Sequence, residues 1–307
     1  MNRTVFVIFQ VVVALIVFMV LNNVAVYIMK KENVIPDPTK SVATSIFAGW
    51  VDTSTFTNKS FDTHNVFASN YRSLPRSANK MGGAQFSYTV WVRFNDISAK
   101  TLSDKVMFMQ GDPTKYNYQV QRNVGGFSPK TVTENKYDYV VKCPLVRFGD
   151  DGSSMIVEFN TTNDISARAE INRVQSDDQT VRHNVFSLLP GSWALMTFVF
   201  EDDRRYNDHE DGVIFTFYLN DILYYTQRFQ GALRLNKGDL VMLPEGPIDQ
   251  GYMSDMTYYN YALDLQQINK VIGKGMTNSR YNDMDTDPTF NQPLYLNQYN
   301  KLEISNL

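Results

Sequence analysis

The alternation of apolar and polar residues changes character three times along the chain. Residues 5–29, VFVIFQVVVALIVFMVLNNVAVYIM, carry no formal charge. As a helix rising about 1.5 Å per residue, that run is roughly 37 Å long and crosses a hydrocarbon core of about 30 Å with room for tilt. Its polar members Gln10, Asn22 and Asn23 lie toward the ends, Arg3 precedes it, Lys30 and Lys31 come after it, and Tyr27 stands where an interfacial aromatic belongs. A cleaved secretory signal is the competing reading. It has a shorter apolar region, about 7–15 residues, and small residues at a cleavage site, whereas Tyr-Ile-Met-Lys-Lys-Glu stands here. An uncleaved single-pass transmembrane anchor over residues 1–31 is therefore expected, and its flanking charges leave the orientation open.

Residues 32–84 show no sustained period. Pro36 and Pro38 stop any helix leaving the membrane. Phe47, Trp50, Phe56, Phe61 and Phe67 are too apolar for a free linker, so the stretch reads as a tether partly packed on the domain downstream of it.

From residue 85 the period becomes two. In QFSYTVWVRF (85–94) the even positions Phe86, Tyr88, Val90, Val92 and Phe94 form one apolar face, which predicts a long strand with that face toward a core. KVMFMQ (105–110) is a second strand, closed by the turn residues Gly111-Asp112-Pro113. Residues 114–141 are polar and read as a long insertion without specified structure. Residues 145–148 and 155–159 flank Gly149-Asp150-Asp151-Gly152 and predict a hairpin, and 167–171 a further strand. Residues 190–200, 212–219 and 222–229, the last two joined by Asn220-Asp221, predict a three-stranded meander. Residues 240–243 and 252–261 are the last strands. Residues 264–273 predict one short helix with Asp264 and Gln267 in a capping box, Gly273 or Gly275 at its end, and Leu265, Ile268, Val271 and Ile272 on one face. The tail, 276–307, reads as an extended arm.

Short strands with turn signals and one terminal helix call for two antiparallel sheets packed face to face, an all-β sandwich over residues 85–275. The 18 Tyr and 20 Phe suit pleated, half-buried surfaces. A net charge of −3 supplies no field for holding phosphates, which argues against a nucleic-acid partner. Cys143 is the single cysteine, so no intrachain disulfide forms, and it reads as a small buried hydrophobe rather than a nucleophile.

FSYTVWVRF, KVMFMQGD, PGSWALMTFVF, GVIFTFYLNDILYYTQRF and GYMSDMTYYNYALDLQQINKVIGKG, in that order, resemble the concanavalin A-like lectin/glucanase superfamily in its laminin-G-like branch. The resemblance covers roughly residues 86–275. It rests on Trp193 before a core strand, the Tyr218-Leu219-Asn220 turn, and a closing strand with Asp255, Tyr258, Tyr259, Ala262 and Leu263 ahead of the helix. It implies a jelly-roll, concanavalin A-like sandwich and leaves function open. The anchor together with LPRSANKMGGAQFSYTVW (74–91) resembles virion proteins of large double-stranded DNA viruses of algae and protists, whose particles hold a membrane beneath an icosahedral shell.

Glucanases of that superfamily carry alternating catalytic carboxylates on one strand. Here Glu201-x-Asp203 is followed by Arg204, Arg205 and Tyr206, so the second Glu is missing, no catalytic residue is assigned and the chain is read as a non-enzyme. Asp202, Asp208 and Asp211 are calcium candidates beside the reading of 201–212 as a solvated hairpin tip, and Asp283, Asp285 and Asp287 lack the Gly and Glu of an EF-hand. Otherwise no cofactor is implied. His64, His183 and His209 make no ligand pair by spacing. Tyr224, Tyr259, Tyr295 and Tyr299 are candidates for stacking on a glycan or a protein partner.

The leading expectation is a membrane-anchored structural virion protein of minor capsid type, at the interface of an internal membrane and the shell, linking bilayer to capsid neighbours by protein contacts. The alternative is a membrane-displayed carbohydrate-binding lectin for host attachment, and a glycoside hydrolase stands third.

Overall fold

The computed structural model describes residues 15, 17–19, 41–77, 83–112, 114–124, 130–150, 152, 154–164, 166–173, 185–186, 188–204 and 211–281. Two sheets pack face to face. The first has six antiparallel strands in the order β1 (Ala43–Asp52), β15 (Gly251–Tyr259), β3 (Gln85–Phe94), β11 (Ala194–Arg204), β12 (Asp211–Leu219) and β13 (Ile222–Gln230). The second runs β10 (Val185–Phe186), β9 (Ala167–Arg173), β8 (Ser154–Phe159), β7 (Lys142–Phe148), β4 (Val106–Gly111), β14 (Asp239–Met242) and β2 (Lys59–Phe61), antiparallel except for the parallel β10–β9 pair. This is the expected all-β, two-sheet sandwich.

Its core derives from the period of two. Phe86, Tyr88, Val90, Val92 and Phe94 of β3 all face inward, as do Met196, Phe198 and Phe200 of β11 and Phe215 and Phe217 of β12. Phe108, Val146, Phe148, Val157 and Phe159 meet them from the second sheet. Rings lock the layers: Phe159 lies 5.4 Å from Phe200, Phe108 5.6 Å from Phe198 and Phe94 5.8 Å from Phe148, each edge to face. Every such buried Phe contributes about 1.5–3 kcal/mol over its exposed state.

The helix Leu265–Lys274 covers the outer face of the six-stranded sheet. Asp264 accepts the Gln267 amide at 2.7 Å and Gln267 Oε1 accepts the Asp264 amide at 3.0 Å, the expected capping box. Gly275 is the C-cap. Ile268 is buried against Leu195, Val199, Tyr259 and Leu263, with Val271 and Ile272 beside it, whereas Leu265 is exposed. Leu265 sits in the first turn, ahead of the contact with the sheet.

Three stretches differ from the sequence expectation. Residues 43–52 and 59–61, assigned to the tether, are β1 and β2 and belong to the two sheets. The pairing of β1 with β15 carries two register shifts, between Ser45 and Phe47 and between Phe47 and Trp50, which scramble its alternation. Gly49 stands at φ 89°, where a Cβ would come within 2.6 Å of the Ser279 carbonyl oxygen, and its amide donates to Asp255 Oδ1 at 3.0 Å. Residues 114–141, expected to lack specified structure, form the hairpin β5 (Lys115–Val124) and β6 (Lys130–Tyr139), ten residues in unbroken register. The outer face of the seven-stranded sheet is buried too. It carries Val106, Met109, Leu145 and Val241 with Tyr139 against them, and fully buried Lys142 pairs with Glu158.

The expected anchor lies outside the described residues except for 15 and 17–19, which are helical and exposed. Among the described residues no helix is long and apolar enough to cross a membrane. The arm over 276–307 lies outside them beyond residue 281.

Candidate ligand-binding site

A cleft of about 380 Å³ opens where β2 and β14 reach the ends of β3, β4 and β15. Its walls come from both sheets. Phe86 of β3 and Tyr258 of β15, ring centroids 6.2 Å apart, close the floor. They are only 3% and 6% exposed, so they offer edges and not a stacking platform. Leu74 and Leu235 add apolar wall. His64, Arg76, Gln110 and Lys237 add polar groups.

The frame is fastened by hydrogen bonds. The Tyr258 hydroxyl donates to the Pro75 carbonyl at 2.9 Å, which holds the 74–76 segment against the sandwich. The Tyr88 hydroxyl donates to Gln110 Oε1 at 2.8 Å, so the Gln110 amide nitrogen keeps its donors. Burial, and then the neighbouring Tyr258, push the Tyr88 phenol well above its ordinary value, so it stays a neutral donor. The loop 235–238 is tied to β4 by Asn236 Nδ2 donating to the Gln110 carbonyl at 3.1 Å, and Asn236 Oδ1 accepts the Gly238 amide at 2.7 Å. Gly238 is required there because a Cβ would fall 2.3 Å from the backbone of Gly111.

Arg76 and Lys237 are exposed, and neither is in an ion pair among the described residues. No carboxylate lines the cleft among the described residues. The arrangement can therefore hold a small polar molecule with one apolar side, presenting donors to its oxygens.

Beside the cleft, Asp62, His64 and Asp239 bring one ligand atom each within 4.8 Å of one another. Asp62 Oδ1 accepts the His64 and Asn65 amides at 2.7 and 2.8 Å. The Asn65 amide foremost, against the opposing effect of burial, holds the Asp62 carboxyl below its usual range, helped by His64.

The residues singled out from sequence lie elsewhere. Asp202 faces the core two positions beyond Phe200 on the inner side of β11, and its oxygens accept the Ala84 amide at 2.8 Å and the Leu233 amide at 2.9 Å. It is a structural staple and not an open calcium ligand. Asp211 is exposed at the start of β12, and Asp208 lies outside the described residues. Tyr259 is buried in the cluster beneath the helix, which removes it from the surface, and burial pushes its phenol up to about 12. Tyr224 is half-buried against the core, while Tyr295, Tyr299, Asp283, Asp285, Asp287, His183 and His209 lie outside the described residues. Cys143 is buried, its thiol pushed by burial to about 12. Glu201 and Asp203 are occupied by Gln85 Nε2 at 2.6 Å and Arg228 Nε at 2.8 Å.

The cleft residues come from five strands and loops between 63 and 258, and no local spacing links them. The one available signal was the pairing of β2 with β14, which a three-residue strand does not announce.

No protein-family model and no curated protein matches the chain. Solved structures do. A receptor-binding domain of botulinum neurotoxin mosaic serotype C/D is 13% identical with a TM-score of 0.37, over 63% of this chain and 37% of that one. The ligand-binding domain of botulinum neurotoxin serotype D, solved with N-acetylneuraminic acid, is 12% identical with a TM-score of 0.39, over 78% of this chain and 51% of that one. The chain thus spans about half or less of the length of these structures, and likeness at this level carries neither fold nor function across.

Proposed function

We propose that the sandwich is a carbohydrate-binding module displayed from a membrane by its apolar N-terminal segment. The observation that carries this reading is the cleft, where uncommitted donors on Gln110, Arg76 and Lys237 stand around an apolar wall. A sugar has that character, with C–H groups on one side and oxygens around its rim. Binding without turnover is the role proposed: among the described residues lining the cleft the donors are not accompanied by a carboxylate. The test is a glycan array probed with the full-length chain in detergent, followed by titration. The expected outcome is a saturable response that Arg76→Ala and Lys237→Ala each weaken about tenfold, the size of one lost charged hydrogen bond. An array without a dose-dependent signal rejects the reading.

The second reading is the linker between an internal membrane and a capsid shell. The feature in its favour is β13, which among the described residues ends the six-stranded sheet, with Ile222 and Leu223 about half exposed (53% and 50%) for a protein neighbour. Cross-linking in assembled particles tests it: a shell protein joined to β13 supports the linker, and recovery of no shell neighbour rejects it.

A further inference from the structure

Asp62 and His64 lie just past the end of β2 and Asp239 opens β14, and the two strands pair through Phe61 opposite Leu240. We propose that these three residues form a binding site for a divalent transition cation, of the Zn²⁺ or Mn²⁺ kind, at the rim of the cleft.

The donor set is mixed, two carboxylates and an imidazole, with its ligand atoms within 4.8 Å of one another. That chemistry suits a borderline first-row ion, while Ca²⁺ takes six to eight oxygens and gains little from imidazole. Neither carboxylate is in an ion pair among the described residues, so neither is committed to a Lys or Arg side chain.

Each donor is also held by one atom and open at another. Asp62 is fixed through Oδ1 by two backbone amides, which leaves Oδ2. Asp239 accepts the Ser60 hydroxyl on Oδ2 at 3.1 Å, which leaves Oδ1. The Thr63 hydroxyl lies 2.8 Å from His64 Nδ1 and within reach of the Lys237 and Gly238 carbonyls at 3.1 and 3.2 Å. With its single proton on one of those carbonyls it accepts from Nδ1–H, and in that tautomer the Nε2 lone pair is the one left for a metal. Partners of this kind orient ligands around bound metals. Three protein ligands leave coordination positions for water or for an oxygen of a molecule in the cleft, whose lining His64 shares.

The proposal does not depend on the sugar reading, and its test contains no sugar. Metal-stripped full-length chain is titrated calorimetrically with ZnCl₂, MnCl₂ and CaCl₂ in separate runs. One Zn²⁺ or Mn²⁺ per chain is expected, at least tenfold tighter than Ca²⁺. His64→Ala and Asp239→Asn should each weaken it tenfold or more while leaving the metal-free urea midpoint in place. Thr63→Val, which keeps all three ligands, should weaken it about tenfold, the usual cost of losing an orienting partner. Absence of heat with Zn²⁺ and Mn²⁺ at millimolar concentration overturns the proposal, as does undiminished binding in His64→Ala, which would place the ion on other histidines. Should an alanine variant unfold, Thr63→Val decides: unchanged affinity there overturns the site.

Discussion

Asp202 and Asp239 are both aspartates near strand ends, on opposite sheets, and they differ in what their oxygens already accept. Asp202 is 5% exposed and gives both oxygens to backbone amides, those of Ala84 and Leu233. It closes the sandwich by tying the lead-in of β3 to the segment after β13. Asp239 is half-buried, gives one oxygen to Ser60 and shares its surroundings with a second carboxylate and an imidazole. A carboxylate whose lone pairs are spent on the backbone is architecture, and one with an oxygen to spare is available for chemistry. Glu158 belongs with Asp202, since its two oxygens are engaged by Lys142 and Arg147 on the outer face of the second sheet.

The largest consequence of this contrast is predicted at Glu158. Glu158→Ala removes the carboxylate from a Lys142 ammonium that is fully buried, and should destabilise the fold by about 3–5 kcal/mol in urea titration. Replacing the pair together, Lys142→Met with Glu158→Leu, should return most of that loss, because the burial of an unmatched charge is the cost. Asp202→Ala comes next. It strands the buried Leu233 amide and the half-buried Ala84 amide and should cost about 2–3 kcal/mol. A loss under about 1 kcal/mol in either single variant would erase the distinction between committed and open carboxylates.

Much of the sandwich was legible because alternation survives wherever a strand faces the core on one side, as in β3, β11 and β12, and because Asp264 and Gln267 announce the helix by local chemistry. What was not legible has specific causes. The bulges of β1 break its period, and the hairpin β5–β6 is polar over much of its length, so neither displays an apolar face. Asp202 looked like a ligand because it sits among acids in the sequence. Its place two residues after Phe200 on an inward face was the signal that it is buried. Asp62 and Asp239 are brought together only by long-range pairing of a strand three residues long, which no local pattern encodes.

Neutral groups obey the same logic, with a smaller effect that pH exposes. Burial raises the Tyr259 phenol to about 12, against an ordinary value of 10. The neutral form is favoured in the fold, so its contribution is complete below about pH 10 and is lost as pH climbs toward 12. Stability from urea titration should fall across that window by about 2–3 kcal/mol on account of Tyr259, and Tyr259→Phe should reduce the fall by that share while the buried Tyr88 and Tyr261 phenols, raised in the same way, supply the rest. Cys143, raised to about 12 by burial, should remain unreactive toward a thiol reagent at pH 8 until the chain is unfolded.

The smallest expected effect is the most discriminating. Asp239→Ala removes one hydrogen bond from Ser60 in a half-solvated setting, a loss of about 0.5 kcal/mol. It also removes one of two carboxylates whose oxygens lie within 4.8 Å of each other, and relief of that repulsion is of similar size and opposite sign. Metal-free stability should therefore change by less than about 0.5 kcal/mol. The two contributions separate with salt, because added ions screen the repulsion and leave the hydrogen bond. The variant should stand closest to, or above, the parent at low ionic strength and fall slightly behind it at about 1 M NaCl, where the screening length is near 3 Å. A loss like that at Asp202, unaffected by salt, would make Asp239 a structural residue and remove the contrast on which the cation site depends.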